Sequence, residues 1–242
     1  MNSAPGPTTL PSTRDWVPET AFGKWFLSTN IWRKYVLELA VADLRRLGGE
    51  GVAGVEKMLD VGCGQGVALP LLMQHFQPRS LLGIDIDAAQ VQKARQTAAH
   101  CGGQVSVLQS SVTRLDLPDN SVDLIFCHQL IHHVAHQEAA LRELYRVLAP
   151  GGALLLSESC AAFIHTWSVR LLFRHPEGVQ KSADQYLALV RSIGFVVDPQ
   201  QTEASTPWWS LPDFGLLRRL GLQGRTPEVT EVLMVARKPG LA

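Results

Sequence analysis

The chain has no surplus of either charge. Its 242 residues carry 22 Lys and Arg against 22 Asp and Glu, so no global field favours nucleic acid or an anionic membrane surface. No stretch reaches the roughly 18 uninterrupted apolar residues of a membrane span. No basic segment followed by an apolar one opens the chain as a secretory leader would. Cysteine is scarce, and Cys63, Cys101, Cys127 and Cys160 form no C-x-x-C pair. That argues against a disulfide framework and leaves reduced thiols in a cytoplasmic protein as the expectation. His128, His132, His133, His165 and His175 show no ligand spacing within an expected helix, so no metal site is expected. Tryptophan is missing from the middle of the chain. Trp16, Trp25, Trp32, Trp167, Trp208 and Trp209 all lie outside residues 58–158.

What that middle does hold is a glycine turn. Lys57 to Val61 reads as a short buried strand, followed by Gly62, Gly64 and Gly66, and then by apolar residues at helical spacing from Val67 to Phe76. A strand, a glycine turn and a helix bring a ligand against backbone N–H groups at a helix N-terminus. The spacing is G-x-G-x-G, with Asp60 two residues ahead. A dinucleotide fingerprint wants G-x-G-x-x-G. A second strand, Ser80 to Asp85, ends in an acid about 20 residues beyond the glycines, where a nucleotide-binding fold places a carboxylate for ribose hydroxyls. Asp87 is the better N-cap for the helix expected over Ala88–Ala99.

Residues 1–15 hold three prolines and no periodicity and read as a mobile tail, with a single domain over 16–242. Residues 16–50 read as amphipathic helices that either pack on the core or form a lid, 55–158 as the ligand-binding core, and 159–242 as insertions with the last strands. Further strands are expected over Gln104–Leu108, Val122–Cys127, Ala153–Ser157, Phe195–Val197 and Glu231–Ala236. Ser182 with Gln185 forms a capping box opening a helix. Gln200 to Thr230, with Trp208, Trp209 and Phe214, reads as a long connection.

Three stretches carry a resemblance. The aspartate-led G-x-G-x-G resembles motif I of the class I S-adenosylmethionine (SAM)-dependent methyltransferases. The run Val105 to Ile125 looks like the family's second motif region. L-R-E-L-Y-R-V-L-A-P-G-G-A-L-L-L-S-E, ending at Glu158, closely resembles the small-molecule, quinone-biosynthesis-like methyltransferase type 11 group. The resemblance implies a Rossmann-like, doubly wound α/β fold, with a seven-stranded, mainly parallel sheet and a C-terminal antiparallel hairpin. It implies SAM as cofactor, held by Asp60, Gly62, Cys63, Gly64, Gly66, Asp85, Ile86, Ser111, Val112 and His128. Ser111 stands where the family commonly has Asp, accepting from the adenine amino group; a hydroxyl accepts more weakly.

In this family the residues after the fourth strand sit by the reactive methyl. Here His132 and His133 are the candidates to take a proton from the acceptor, histidine being the side chain that titrates near neutrality. Capping or packing is the plainer role for such a pair. The family builds its substrate cap from the regions that hold the tryptophans, so Trp25, Trp167, His175 and Trp208 are expected to border a small, hydrophobic or aromatic methyl acceptor. The alternatives are a SAM-binding sensor or interaction subunit without transferase activity and, less favoured by the glycine spacing, an NAD-dependent oxidoreductase.

Overall fold

The computed structural model describes residues 17–211, 216, 220–221 and 228–240. The expected tail over 1–15, Trp16 and Phe214 lie outside the described residues. One sheet holds seven strands: β1 Lys57–Val61, β2 Ser80–Asp85, β3 Val105–Gln109, β4 Val122–His128, β5 Leu148–Ser159, β6 Val196–Ser205 and β7 Glu231–Arg237. Their order is β3-β2-β1-β4-β5-β7-β6. The first five run parallel, and β7 enters antiparallel between β5 and β6. The expected α/β architecture and its antiparallel C-terminal pair are therefore present.

Helices cover both faces. They are α1 Ala21–Phe26, α2 Asn30–Trp32, α3 Glu38–Gly48, α4 Leu69–Phe76, α5 Ala88–Ala99, α6 Gln137–Val147, α7 Ala161–Ile164, α8 Trp167–Leu172 and α9 Ala183–Ile193. A π-turn, Arg33–Leu37, joins α2 to α3. The parallel strands read as near-continuous apolar runs because both faces are buried. In β5, Leu154 and Leu156 point into the layer of α6 and α9, and Leu155 into the layer of α3, α4 and α5. That is the two-residue alternation of a strand.

Two local codes held. Asp87 caps α5 by accepting from the N–H groups of Ala89 and Gln90, and Ser182 with Gln185 closes the capping box of α9. One boundary did not. The chain from Gln200 to Ser205 belongs to β6 and pairs with Glu231–Met234 from Thr202 onward. A register shift between Val197 and Thr202 absorbs the polar segment around Pro199. Proline fits there because the strand lies at the sheet edge. Among the described residues no helix is long and apolar enough to cross a membrane.

Strand order reverses between β1 and β4, and a crevice opens outside the carboxyl ends of strands at such a switch point. Val61, Asp85 and His128 end the three strands that meet there.

Candidate active site

The glycine turn after β1 is shaped by backbone constraints. Gly62, Gly64 and Gly66 all have positive φ, 71°, 53° and 79°. A Cβ on Gly66 would also lie 3.0 Å from the Cα of Ala94 in α5, so a side chain there would push the turn away from that helix. Nothing lies within 4 Å of a Cβ built on Gly64, and its N–H donates to Asp85 Oδ2 at 2.9 Å. The other oxygen, Asp85 Oδ1, accepts from the Asp87 N–H at 2.8 Å. An ionised carboxylate has about four acceptor positions, so these two hydrogen bonds do not fill it. Burial pushes the Asp85 carboxyl up from its ordinary value.

A cleft opens along this turn. Its wall includes Gly62, Gly64, Asp85, Ile86, Ser111 and Val112 among the residues expected to hold a cofactor. Asp60, Cys63, Gly66 and His128 are not among the residues on that wall. Asp60 is 2% exposed, with no partner for Oδ2. Burial and then the nearby Asp85 push its carboxyl up to about 8. Ser111 Oγ shares a hydrogen bond with Thr113 Oγ1 at 2.8 Å, and both residues line the cleft. His128 stacks on Phe126 and meets Trp32 edge-on. Burial, with the neighbouring His132, pushes it down to about 3.

The N-terminal segment roofs this cleft. Val17, Glu19, Lys24 and Leu27 line it. Lys24 Nζ pairs with Asp87 at 2.6 Å, and Gln65 Nε2 donates to the Lys24 carbonyl at 2.9 Å. The lid alternative for residues 16–50 therefore has a contact set: α1 is fastened across both the glycine turn and the start of α5. Sequence reading missed Lys24, Glu19 and Thr113 as cleft residues, while Gln129, which follows β4, does line the cleft. Gln129 carries φ of 53°, unusual for a side-chain-bearing residue, and its Oε1 accepts from Ser159 Oγ. No pattern in the sequence announces either feature.

The histidines after β4 separate into different environments. Glu158, fully buried at the end of β5, accepts from the N–H groups of Leu130 and Ile131 through Oε1. Its Oε2 accepts from the His132 N–H and, at 2.6 Å, from His132 Nδ1. His132 is thereby locked, with Nδ1 donating to the carboxylate. His133 reaches the cleft wall. Burial, followed by the neighbouring His132 and His175, pushes it well below its ordinary value. His175 joins these two: ring centroids lie 4.3 Å apart for His132–His133, 5.2 Å for His132–His175 and 4.7 Å for His133–His175. Burial pushes His175 down to about 3.

The three expected aromatic wall residues do not gather with them. Trp25 is 60% exposed beside Phe22, Trp167 is 75% exposed, and Trp208 meets Tyr35 edge-on. None lies on the cleft wall described above.

Residues 59–156 match the family described as "Methyltransferase domain". The chain is 28% identical over 142 residues to phosphoethanolamine N-methyltransferase 3 of Arabidopsis thaliana, covering 59% of this chain but only 27% of that relative. It is 26% identical over 184 residues to the ubiquinone/menaquinone biosynthesis C-methyltransferase UbiE of Citrobacter koseri, covering 72% and 69% of the two chains. Among solved structures, phosphoethanolamine N-methyltransferase 2 of Haemonchus contortus, in complex with phosphomonomethylethanolamine and S-adenosylhomocysteine, superposes with a TM-score of 0.66. The match has 19% identity and covers 90% of this chain and 56% of that one.

Proposed function

We propose, on the premise that residues 59–156 make this chain a member of the class I SAM-dependent methyltransferases, that it transfers the methyl group of SAM to a small acceptor in the cytoplasm. Neutral overall charge gives no support to a nucleic-acid acceptor. The observation that carries the reading is Asp85. Its carboxylate is held over the glycine turn by two backbone N–H groups and keeps acceptor positions directed at the cleft. A ribose with two neighbouring hydroxyls fits that carboxylate, and Ile86, Val112 and Leu130 supply apolar wall for an adenine ring.

SAM supplies an activated methyl on a sulfonium whose leaving group is neutral. The protein's own contribution is then mainly alignment in a dry cleft, with reacting atoms held about 3–3.5 Å apart. Asp85 fixes one end of the cofactor. The N-terminal roof, fastened by Lys24 and Gln65, excludes water. His133, on the same wall and neutral through burial, offers an imidazole lone pair to the acceptor. The acceptor class is small because the roof lies close across the cleft. Its hydrophobic or aromatic character rests on the tryptophans alone, and their exposed positions give that refinement little support.

Asp85→Ala tests the reading. It should weaken SAM binding by about 1.5–3 kcal/mol, roughly 10–100-fold, the scale of hydrogen bonds to a charged group. The fold should persist, since Asp85 ends a strand. Unchanged affinity in a folded variant, by calorimetry, would refute the assignment. Ser111 gives a second check. If it serves the adenine amino group in place of the family's acid, Ser111→Ala should cost about 0.5–1.5 kcal/mol of SAM binding. Ser111→Asp should tighten it, and a folded Ser111→Asp protein that loses SAM would place the adenine elsewhere.

A further inference from the structure

The fold brings His175 to a pair of histidines that are neighbours in the sequence. His132 and His133 sit in a short 3-10 turn after β4, and His175 comes from the loop beyond α8. One ring nitrogen from each lies within 4.8 Å of one from each of the others. Three imidazoles crowded together gain little from one another. Among the described residues no hydrogen bond links the three rings, and their mutual contacts are ring packing.

We infer that His132, His133 and His175 bind a divalent transition-metal ion of the zinc class, with its open position on the cleft. Three features support this. The first is ligand chemistry: three imidazoles with a fourth place left open form a familiar set for zinc that acts on a bound ligand. The second is orientation. A metal-binding histidine usually gives its other ring N–H to a carboxylate or carbonyl, which fixes the tautomer and aims the lone pair. His132 does so with buried Glu158 at 2.6 Å. The third is charge. Glu158 balances one positive charge from within the core, and Glu19 lies on the same side, its Oε1 accepting from the Thr20 and Arg174 N–H groups. Bonds of about 2.0–2.1 Å in a tetrahedron place ligand nitrogens about 3.4 Å apart. With His132 held on Glu158, side-chain rotation of His133 and His175 is what would close that gap.

This inference deepens the proposed function and rests on it for one consequence only. In the metal-loaded protein the lone pair of His133 goes to the ion, and the ion, not the ring, meets the acceptor. The acceptor class it selects is one with an oxygen or nitrogen donor beside the methylated atom or at it. Metal binding itself requires no SAM, so the two readings fail separately.

The test is cobalt(II) titration of the full chain after treatment with a chelator. The expected result is one equivalent bound with the intense visible absorption of tetrahedral nitrogen coordination, displaced by zinc(II). His175→Ala, a loop change that spares the core, should weaken cobalt binding at least about 100-fold, while circular dichroism shows an unchanged fold. Glu158→Gln should weaken it about 10–100-fold through the orienting hydrogen bond. The exposed-surface change His100→Ala should leave it unaltered. Absence of the spectrum in the wild-type chain, or equal cobalt affinity in folded His175→Ala, would overturn the site. SAM calorimetry on the same metal-free sample reads the cofactor claim independently.

Discussion

Replacing His133 with glutamine should lower turnover by about 10²–10⁴-fold, the range for a group that takes a proton or holds the acceptor in the transition state. SAM affinity should stay within a few fold. The separation follows from where the residues lie. The proposed cofactor set runs from the glycine turn through Asp85 to Ser111, after the ends of β1, β2 and β3. His133 comes after β4, at the other end of the same wall. Glutamine keeps a polar side chain of similar reach but cannot accept a proton near neutrality. A residue that only packs would lower the melting temperature and spare turnover. Measuring turnover, SAM affinity and melting temperature on one preparation distinguishes the two, and wild-type turnover in His133→Gln would remove it from the chemistry.

Glu158→Ala should destabilise the fold by about 3–5 kcal/mol, the cost of breaking a buried charged pair from one side. Four donors lose their acceptor at once: the N–H groups of Leu130, Ile131 and His132, and His132 Nδ1. All converge on a carboxylate with no solvent exposure, so water cannot readily replace it. Glu158→Gln retains one acceptor oxygen and should lose less. Urea unfolding reads both variants. A loss below about 1 kcal/mol in Glu158→Ala would mean that the turn carrying His132 and His133 is held by packing instead.

The cofactor half of this protein was legible because its constraints are local. A strand needs an apolar run, a positive-φ turn needs glycine, and a helix start needs a residue such as Asp87 or Ser182; each is written within a few positions. The resemblance to a known family then ordered those pieces into a sheet. The acceptor half was not legible, because its contacts join distant positions. Lys24 meets Asp87, Glu19 meets Arg174, and His175 meets His133, and no spacing rule relates such pairs. The aromatic cap shows the opposite error. Tryptophans outside the core were expected to converge, yet Trp25, Trp167 and Trp208 sit apart on the surface. Composition by region cannot say which way a side chain points. The end of β6 was hidden for a third reason: an edge strand needs only main-chain pairing and tolerates Pro199, Gln200 and Gln201.

Calorimetry of the full chain with SAM, S-adenosylhomocysteine and NAD in parallel tests the central claim most directly. Saturable binding of SAM and S-adenosylhomocysteine, weakened about 10–100-fold by Asp85→Ala and with no heat from NAD, is the predicted result; saturable NAD binding with no response to SAM would contradict it.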